Sequence, residues 1–361
     1  METILHKATK FETDLQIEEV NESNKSEWEH YVDSNNKTTF VDSWAWRELV
    51  SSVYRLPHFW YMAKNRGKIE GILGLTLSRH PILGKYLATA PFGSQGGFYA
   101  DSERAFHALF TKAGEIHDQC GAKYTVIRHL ESELPPPEGW VQCPTYSVCQ
   151  LPLIEDIDYF NNKHLRQKER KPIKKGLRSG FRVQFGKSEL LDDFWHVISL
   201  NMKNLGSPYH SKKYLITLMH ILGEQAEIAT LYSKDNQPAA ASLILYHNDT
   251  AILLHSHALK EYRIMRPADL MWWFIICECY RKGIKCLDLG RSIVGSGNER
   301  FKMKFRPIRK TLASWYRLSP GTSLPHLNQD NPRYQLPIKI WRRTPLWLTS
   351  LIGPNLMSGI L

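Results

Sequence analysis

A short segment between residues 283 and 305 concentrates the residue types that bind anions or handle acyl groups. An apolar strand, 284–289, is followed by a glycine-rich loop and an aromatic-lysine pair. Glycines let backbone N–H groups approach a ligand, and arginine and lysine supply fixed positive charge. The segment therefore predicts an anion-binding or acyl-handling site. Its candidate residues are Asp288, Arg291, Ser292, Gly295, Gly297, Phe301 and Lys302.

Regular elements on both sides must position this segment. Residues 268–282 have the pattern of a helix that ends at Gly283, and residues 250–257 have the pattern of a strand. The predicted strand carries His255 and His257, which alternation places on one face. Two such histidines could serve as a base or a metal pair, or as the polar lining of a channel or paired core histidines. No third metal ligand occurs at a recognisable spacing, which favours the structural interpretations.

The order of predicted elements occurs twice along the chain. The first half has a hairpin over 60–77, a helix over 103–119 and a strand over 124–128. The second half has a hairpin over 227–246, followed by the strand, helix and strand already described. This order predicts a structural duplication. We expect a first domain over 1–153, a second over 154–320 and a basic tail over 321–361.

Composition and charge limit the class of protein. The chain has 361 residues, of which 42% are hydrophobic, and its formal net charge is +11. The length predicts two domains, and the charge predicts anionic partners. No apolar run reaches the length of a membrane span, and the polar N-terminus lacks the apolar core of a signal peptide. We expect a cytoplasmic protein whose six cysteines are free thiols.

The positive charge is concentrated in two segments. Lys163–Arg182 contains nine lysines or arginines and one acid, and no acidic residue follows Asp330. The first segment is either a contact for tRNA phosphates or a solvated helix face. The tail, which carries Trp341 and Trp347, either lies on an anionic membrane surface or packs on the second domain.

The segment from Arg291 to Phe305 resembles the end of the second domain in the FemAB-like peptidyl and acyl transferases. The resemblance extends over nearly the whole chain and is greatest to the FemAB-related proteins of exosortase and exopolysaccharide loci. The other matching motifs are Pro91-Phe92-Gly93 with Gly96-Gly97 and Asp101, residues 201–208, Asn331-Pro332-Arg333-Tyr334, Trp341-Arg342-Arg343 and Gly353-Pro354.

The resemblance implies an α/β (α+β) fold of two tandem, duplicated GNAT-like domains, each a twisted mixed sheet flanked by helices. It also implies transfer of an activated acyl or aminoacyl group to an amine, with aminoacyl-tRNA or acyl-CoA as donor. No metal or other cofactor is required, because an activated ester supplies the driving force and catalysis can be mainly positioning.

The chain departs from the family pattern at three places. Pro172 interrupts the basic helix, which we expect to kink or start there. Asp269 replaces part of an Asn-rich helix start and is expected to cap the helix while bringing negative charge to it. The pair His255 and His257 replaces aromatic and small residues. In addition, Arg266 stands where a CoA-binding loop has glycine, which lowers the case for ordinary CoA binding.

The chemistry assigns roles to the candidates. Attack by an amine releases a proton and creates negative charge on the carbonyl oxygen. Asp288 is the candidate base, although its structural alternative is to hold Arg291 or a loop N–H. Arg291 and Lys302 are candidates for binding the donor phosphate or the oxyanion. The candidate donor-binding residues are Arg263, Arg266, Ser292, Gly295, Gly297 and Phe301, and the candidate acceptor-binding residues are Pro91, Phe92, Gly96, Gly97, His255 and His257.

These observations predict a two-domain transferase that moves an acyl or aminoacyl group onto an amino group. The expected acceptor is a cell-envelope precursor, either a peptidoglycan peptide or a polysaccharide amino sugar, at the inner face of the cytoplasmic membrane. One alternative is an acyl-CoA-dependent N-acyltransferase. The other, from a different class, is a non-catalytic RNA-binding or scaffold protein of the envelope machinery.

Overall fold

The computed structural model describes residues 15–80, 83–130, 134–325 and 332–360. Within these ranges the backbone forms fourteen strands, all in one sheet. In chain order the strands are β1 (Leu15–Glu19), β2 (His58–Asn65), β3 (Lys68–His80), β4 (Gly84–Ala88), β5 (Phe98–Ala100), β6 (Tyr124–Leu130), β7 (Trp140–Gln142), β8 (Tyr146–Pro152), β9 (Arg182–Gly186), β10 (Ala226–Tyr232), β11 (Pro238–His247), β12 (Thr250–Ala258), β13 (Cys286–Ile293) and β14 (Ile308–Leu318).

The α-helices of the described residues lie between these strands and after the last one. They are α1 (Lys25–Ser34), α2 (Trp44–Tyr54), α3 (Glu103–Cys120), the single turn α4 (Ile157–Tyr159), α5 (Gln167–Arg178), α6 (Leu191–Leu205), α7 (Lys212–Leu222), α8 (Pro267–Arg281), the short α9 (Gly297–Lys302), α10 (Pro332–Arg343) and α11 (Leu346–Met357). The hairpins, helices and strands predicted in each half are therefore confirmed.

The sheet consists of two half-sheets with the same plan. In the first, β1 to β4 are antiparallel, β4 pairs parallel with β6, and β14 follows antiparallel. In the second, β9 to β12 are antiparallel, β12 pairs parallel with β13, and β8 follows antiparallel. Strands β14 and β8 pair with each other and join the halves. The predicted duplication of a GNAT-like unit is confirmed.

The final strands are exchanged between the two units. Strand β8 precedes the second repeat in the chain but completes the second half-sheet, and β14 ends that repeat but completes the first. Each half-sheet therefore depends on a strand from the other part of the chain. The domain boundary at residue 153 stays a proposal, because β8 lies before it.

Helices cover both faces of the second half-sheet. One core joins α6 and α7 to α2 of the first half, with Trp46, Phe194 and Tyr214 fully buried in it. The other lies under α5 and α8. In α5 the backbone approaches α8 so closely that a Cβ at Gly176 would lie 2.8 Å from Cβ of Leu270. Through α2, the first half therefore packs on the core formed with α6 and α7.

The basic helix does not start at Pro172 and Asp269 does not cap α8, whereas the kink expected at Pro172 stays a prediction. Helix α5 starts at Gln167 and runs through Pro172, so the proline does not start it. Asp269 does not cap α8, because the capping position is Arg266, and the Asp269 carboxylate instead accepts a hydrogen bond from Lys304 Nζ at 3.0 Å. The negative charge that Asp269 brings to the helix start is therefore paired.

The tail helices α10 and α11 pack on α6. The chain end then reaches the first half-sheet, where Ser78 Oγ donates to the carbonyl of Ser358 and Tyr86 Oη donates to the carbonyl of Gly359, both at 2.9 Å. Asn331 of the tail motif lies outside the described residues. Among residues 15–80, 83–130, 134–325 and 332–360, no helix is long and apolar enough to cross a membrane.

Candidate functional site

The site is built where strands β12 and β13 separate. The two strands pair in parallel for three residues, from Thr250 with Cys286 to Ile252 with Asp288. Beyond this point the pairing of β12 with β11 skips Leu254, which forms a bulge. The pairing of β13 with β8 is also interrupted, between Asp288 and Arg291. Two bulges at one place move backbone groups out of the ladder, as is common beside functional sites.

Asp288 organises the bulge of β13. Its side chain is 5% exposed, and its Oδ1 accepts the Gly290 N–H at 2.7 Å. Burial raises the pKa of Asp288, although this hydrogen bond acts in the opposite direction. Gly290 has a φ of +72°, in the left-handed region that favours glycine. The glycine at position 290 is therefore explained by the left-handed backbone of this turn.

Lys302 holds the same turn from the other side. Its Nζ donates to the carbonyls of Gly290 at 2.8 Å and Arg291 at 2.9 Å, and the residue is only 4% exposed. Burial lowers the pKa of Lys302 to about 8. The ammonium group thus fixes two carbonyls of the bulge in the interior and has one N–H left for another partner.

Glu299, which sequence reasoning missed, anchors the glycine-rich loop. Its carboxylate accepts hydrogen bonds from Ser147 Oγ, Arg309 Nε and the Gly295 N–H. Burial opposes ionisation, but these hydrogen bonds outweigh it and lower the pKa of Glu299 to about 2. Ser292 accepts a hydrogen bond from Asn298 Nδ2 at 3.2 Å. Ser292 and Gly295 are therefore held by the loop's own hydrogen bonds.

A cleft of about 640 Å³ opens at the end of β12, between α6, α8 and α9. Five of its lining residues are cationic and one, Asp269, is acidic. The Asp269 carboxylate is paired with Lys304. The cleft can therefore accept a ligand with several negative charges. Its cationic residues are Lys260, Arg263, Arg266, Arg300 and Lys304.

The start of α8 shapes the entrance of this cleft. Arg266 has a φ of +64°, and Pro267 follows as the first helical residue. The left-handed conformation explains why the corresponding CoA-binding pattern has glycine, and an arginine there costs of order 1 kcal/mol in backbone strain. The strain is tolerated where a second guanidinium lines the cleft beside that of Arg263.

Aromatic rings form one wall of the cleft. Trp272 and Phe301 meet edge to face with ring centroids 4.9 Å apart, and Trp272 Nε1 donates to Ser256 Oγ at 2.9 Å. Lys304 Nζ lies 4.5 Å from the Phe301 ring centroid. The wall thus offers apolar surface next to positive charge, which suits a ligand that has an apolar part beside a phosphate.

The two histidines share a strand face, as predicted, but have different surroundings. His257 lines the cleft, and its Nδ1 accepts a hydrogen bond from Asn201 Nδ2 at 2.6 Å. His255 packs against Tyr209 and His210, with its Nε2 buried and unpaired among the described residues. Burial lowers the pKa of His255 to about 3 and that of His257 to about 4. Both rings are therefore neutral at physiological pH.

Within the part of the chain that the structure describes, no three His, Cys, Asp or Glu side chains are grouped to hold a metal ion.

The loop 91–97 of the first half reaches the bulge of β13. Ser94 Oγ accepts the Arg291 N–H at 3.0 Å, and the Gly97 N–H donates to Asp42 Oδ1 at 2.5 Å. Gly97 has a φ of +74°, and a Cβ there would lie 2.8 Å from the carbonyl oxygen of Gly74. Phe92 packs on His210, with ring centroids 4.8 Å apart. The loop therefore connects the two halves at the site.

A second cavity, of about 510 Å³, lies between the halves along the parallel strand pair and reaches both of its ends. Asp288 lines this cavity and not the cationic cleft. Gln95 of the loop 91–97 also lines it, together with both signs of charge from Lys37, Lys310 and Asp249. The cavity is thus less uniformly charged than the cleft and suits a different ligand.

The structure brings some predicted site residues together and separates others. Those that line the cationic cleft are Arg263, Arg266, His257, Gly297 and Phe301. Of the acceptor candidates, Pro91, Phe92, Gly96 and Gly97 lie in the loop between the halves, and His255 lies in the adjacent core. The roles given to all of these residues remain predictions. The cleft residues that sequence reasoning missed are Lys260, Arg300, Lys304, Trp272 and Asn201.

Comparisons with known proteins agree with this architecture. Residues 163–303 match a family model described as an acetyltransferase (GNAT) domain. The search of the curated proteins returned no match. Among solved structures, FemX is similar with a TM-score of 0.62 and 12% identity, over 89% of this chain and 99% of that one. The fold is that of tandem GNAT proteins.

Two further structures support the same conclusion. L-PGS from Bacillus licheniformis has a TM-score of 0.55 and 15% identity, over 94% of this chain and 98% of that one. A tandem GNAT protein from the clavulanic acid biosynthesis pathway has a TM-score of 0.57 and 9% identity, over 86% and 100% of the two chains. At these identities the likeness concerns the fold, and the matched GNAT domain contains the cationic cleft apart from Lys304.

Proposed function

We propose that this GNAT-fold, acyltransferase-like protein transfers an activated acyl or aminoacyl group to an amino group of a cell-envelope precursor. The observation that carries the proposal is the cationic cleft at the end of β12, between α6, α8 and α9. Donors of such groups carry several phosphates, which the cleft's arginines and lysines would neutralise. The acceptor would enter from the cavity between the halves, and the two would meet at the bulges.

The bulged strands supply what acyl transfer requires. Leu254 is out of register with β11, and we propose that its backbone N–H stabilises the oxyanion. The raised pKa of Asp288 suits a group that takes the proton of the attacking amine. Lys302 positions the turn beside Asp288 through the Gly290 and Arg291 carbonyls. In this account Arg291 does not bind the donor, because it does not line the cationic cleft.

We propose aminoacyl-tRNA as the donor, because helix α5 extends the positive surface beyond the cleft. Its exposed cationic residues run along a helix that packs on the start of α8. A donor with a long phosphate backbone would use both surfaces. These residues are Lys168, Lys171, Lys174, Lys175 and Arg178.

Acyl-CoA is the second candidate, because the matched family model is an acetyltransferase domain. Calorimetry with CoA and filter binding with charged tRNA, both over a salt series, separate the two. Micromolar CoA binding together with weak, salt-sensitive tRNA binding contradicts the tRNA proposal. The opposite result supports it.

The acceptor is identified by mass spectrometry of envelope precursors from a strain that lacks the protein. A peptidoglycan peptide or a polysaccharide amino sugar should lose one acyl or aminoacyl mass relative to the parent strain. Complementation with Asp288→Asn or Lys302→Met should leave the mass missing. If either folded variant restores it fully, a non-catalytic scaffold or RNA-binding role replaces the catalytic one.

We also propose that the tail contacts an anionic membrane surface. Helices α10 and α11 pack on α6 yet leave large apolar side chains exposed, with Trp347 at 69% and Leu351 at 68% exposure. Arg342 and Arg343 are exposed beside them. Packing on α6 and contact with a membrane are therefore compatible.

Vesicle sedimentation tests this contact. Trp347→Ser with Leu351→Ser should release the protein from vesicles that contain phosphatidylglycerol. Ile216→Ser, an exposed apolar residue of α7, serves as the control and should not. Equal binding of wild type and the double variant refutes the contact.

A further inference from the structure

The cavity of about 510 Å³ between the halves contains two buried polar groups that lack partners. Gln95, in the loop 91–97, is 7% exposed, and His247, at the end of β11, is 8% exposed. Within the described residues, neither Gln95 Oε1 nor His247 Nε2 has a hydrogen-bond partner. Both residues line the cavity, one from each half of the molecule. Because a polar atom buried without a partner costs free energy, each marks a position at which a ligand would gain a hydrogen bond.

The backbones of both residues are held in place. The Gln95 carbonyl accepts a hydrogen bond from Thr39 Oγ1 at 3.3 Å. His247 is the last residue of β11 and pairs with Thr250 across the turn that leads into β12. The two side chains are therefore presented from fixed backbone positions, as a selective binding site requires.

The lining of the cavity offers hydrogen bonds without a net charge. Burial lowers the pKa of His247, against a smaller opposing effect of Asp33, and burial lowers the pKa of His129 to about 4. Both rings are therefore neutral at physiological pH. A neutral imidazole and an amide oxygen complement N–H, O–H and C=O groups and do not neutralise an anion. The charged lining residues are equal in number for each sign: Lys37, Lys310, Asp249 and Asp288.

We propose that Gln95 and His247 are specificity-determining residues that bind an amide group of the acceptor in this cavity. Gln95 Oε1 would accept a ligand N–H, and His247 Nε2, in the tautomer that carries its proton there, would donate to a ligand carbonyl. An amide supplies both groups, and it occurs in peptides and in N-acetylated sugars alike. Asp288 lines the same cavity, so an acceptor anchored here would reach the candidate base. This last step rests on the proposed function.

The direct test is a ligand-detected NMR titration of the full chain with two amide probes, trialanine and N-acetylglucosamine. Glucose, which has hydroxyls but no amide, is the control ligand. At least one amide probe should bind, and Gln95→Met and His247→Leu should each weaken its Kd by roughly fivefold or more. The probe that binds more tightly identifies the source of the amide as a peptide or as an acetylated sugar.

A matched variant and a stability measurement control for the fold. Gln225→Met, at an exposed glutamine outside the cavity, should bind the probe as wild type does. Because Gln95 Oε1 and His247 Nε2 are unpaired, their removal should leave the thermal unfolding temperature unchanged or raise it. Binding of neither amide probe, equally tight binding of glucose, or unchanged affinity in Gln95→Met or His247→Leu overturns the proposal.

A second measurement separates this inference from the proposed function. In a transfer assay, Gln95→Met should raise the KM for the acceptor and leave the KM for the donor unchanged. An unchanged KM for the acceptor in an active enzyme refutes the amide site alone. Probe binding that depends on Gln95 and His247 in a protein without transfer activity supports the amide site and contradicts the transferase.

Discussion

The two half-sheets share one plan but differ where their parallel strands separate. In the first half, β4 and β6 part after Ala88 and Val126, and the gap is bridged at once. Arg128 donates its N–H to Thr89 Oγ1 at 2.9 Å, and the chain end covers Tyr86. In the second half, β12 and β13 part after Ile252 and Asp288, and a cleft of about 640 Å³ opens farther along the chain, at the end of β12.

This difference shows how the two copies of a duplicated fold can take different roles. The second copy keeps an open, cationic cleft, whereas the first closes the corresponding place and contributes the loop 91–97 to the second copy's bulge. Both copies are stabilised by the same exchange of strands. If the comparison is correct, changes around β12 and β13 should affect ligands, and changes around β4 and β6 should mainly affect stability.

The largest effect is expected from Lys302→Met. The substitution leaves the carbonyls of Gly290 and Arg291 without their donor, which costs roughly 1–3 kcal/mol of unfolding free energy for each buried group. Transfer activity should fall at least 100-fold as the bulge loses its geometry. Chemical denaturation and initial rates measure the two effects. Lys285→Met, at an exposed lysine beside the same strand, should change neither.

The next effect is a loss of donor affinity on charge reversal in the cleft. Arg263→Glu with Arg266→Glu should weaken donor binding by roughly 10- to 100-fold, because each reversal adds repulsion of the phosphates. Titration of the donor at fixed ionic strength measures this. Lys213→Glu, on an exposed position of α7, is the control. Equal losses in both variants would mean that net charge, and not the cleft, attracts the donor.

A pH effect on stability should distinguish Lys302 from surface lysines. Its pKa is lowered to about 8 in the folded protein, whereas an unfolded lysine titrates near 10.4, so the unfolded state binds more protons in this interval. The contribution of Lys302 to the free energy of unfolding therefore rises as the pH increases from about 8 to about 10.4. The difference between wild type and Lys302→Met should grow across this range. A constant difference contradicts the lowered pKa.

The smallest effect is expected from Ser94→Ala. The Arg291 N–H loses its acceptor, which costs about 1 kcal/mol of unfolding free energy. Because the loop 91–97 keeps its other contacts, donor binding should stay within twofold of wild type. Thermal unfolding gives the first quantity and donor titration the second. A loss of donor binding larger than that of the cleft variants would reverse the assigned division between the halves.

Local patterns predicted much of the fold and part of the site. The hairpins, the helix over 103–119 and the duplication follow from periodicity and turn residues, and burial of Asp288 follows from its apolar strand. The exchange of β8 and β14 could not be predicted from local patterns, because pairing between distant strands leaves no local signal. The partners of Lys302 are backbone carbonyls, and the sequence does not identify them because every residue has one. The left-handed backbone at Arg266 could not be predicted, because arginine seldom adopts this conformation.

The most direct test of the central claim is donor binding by the full-length protein, measured with charged tRNA and CoA in wild type and in the cleft and control variants. The account predicts that one of these donors binds and that Arg263→Glu with Arg266→Glu abolishes most of that binding, whereas Lys213→Glu does not. Binding of neither donor, or binding that the cleft variants leave intact, contradicts the assignment of the cleft between α6, α8 and α9 as the donor site.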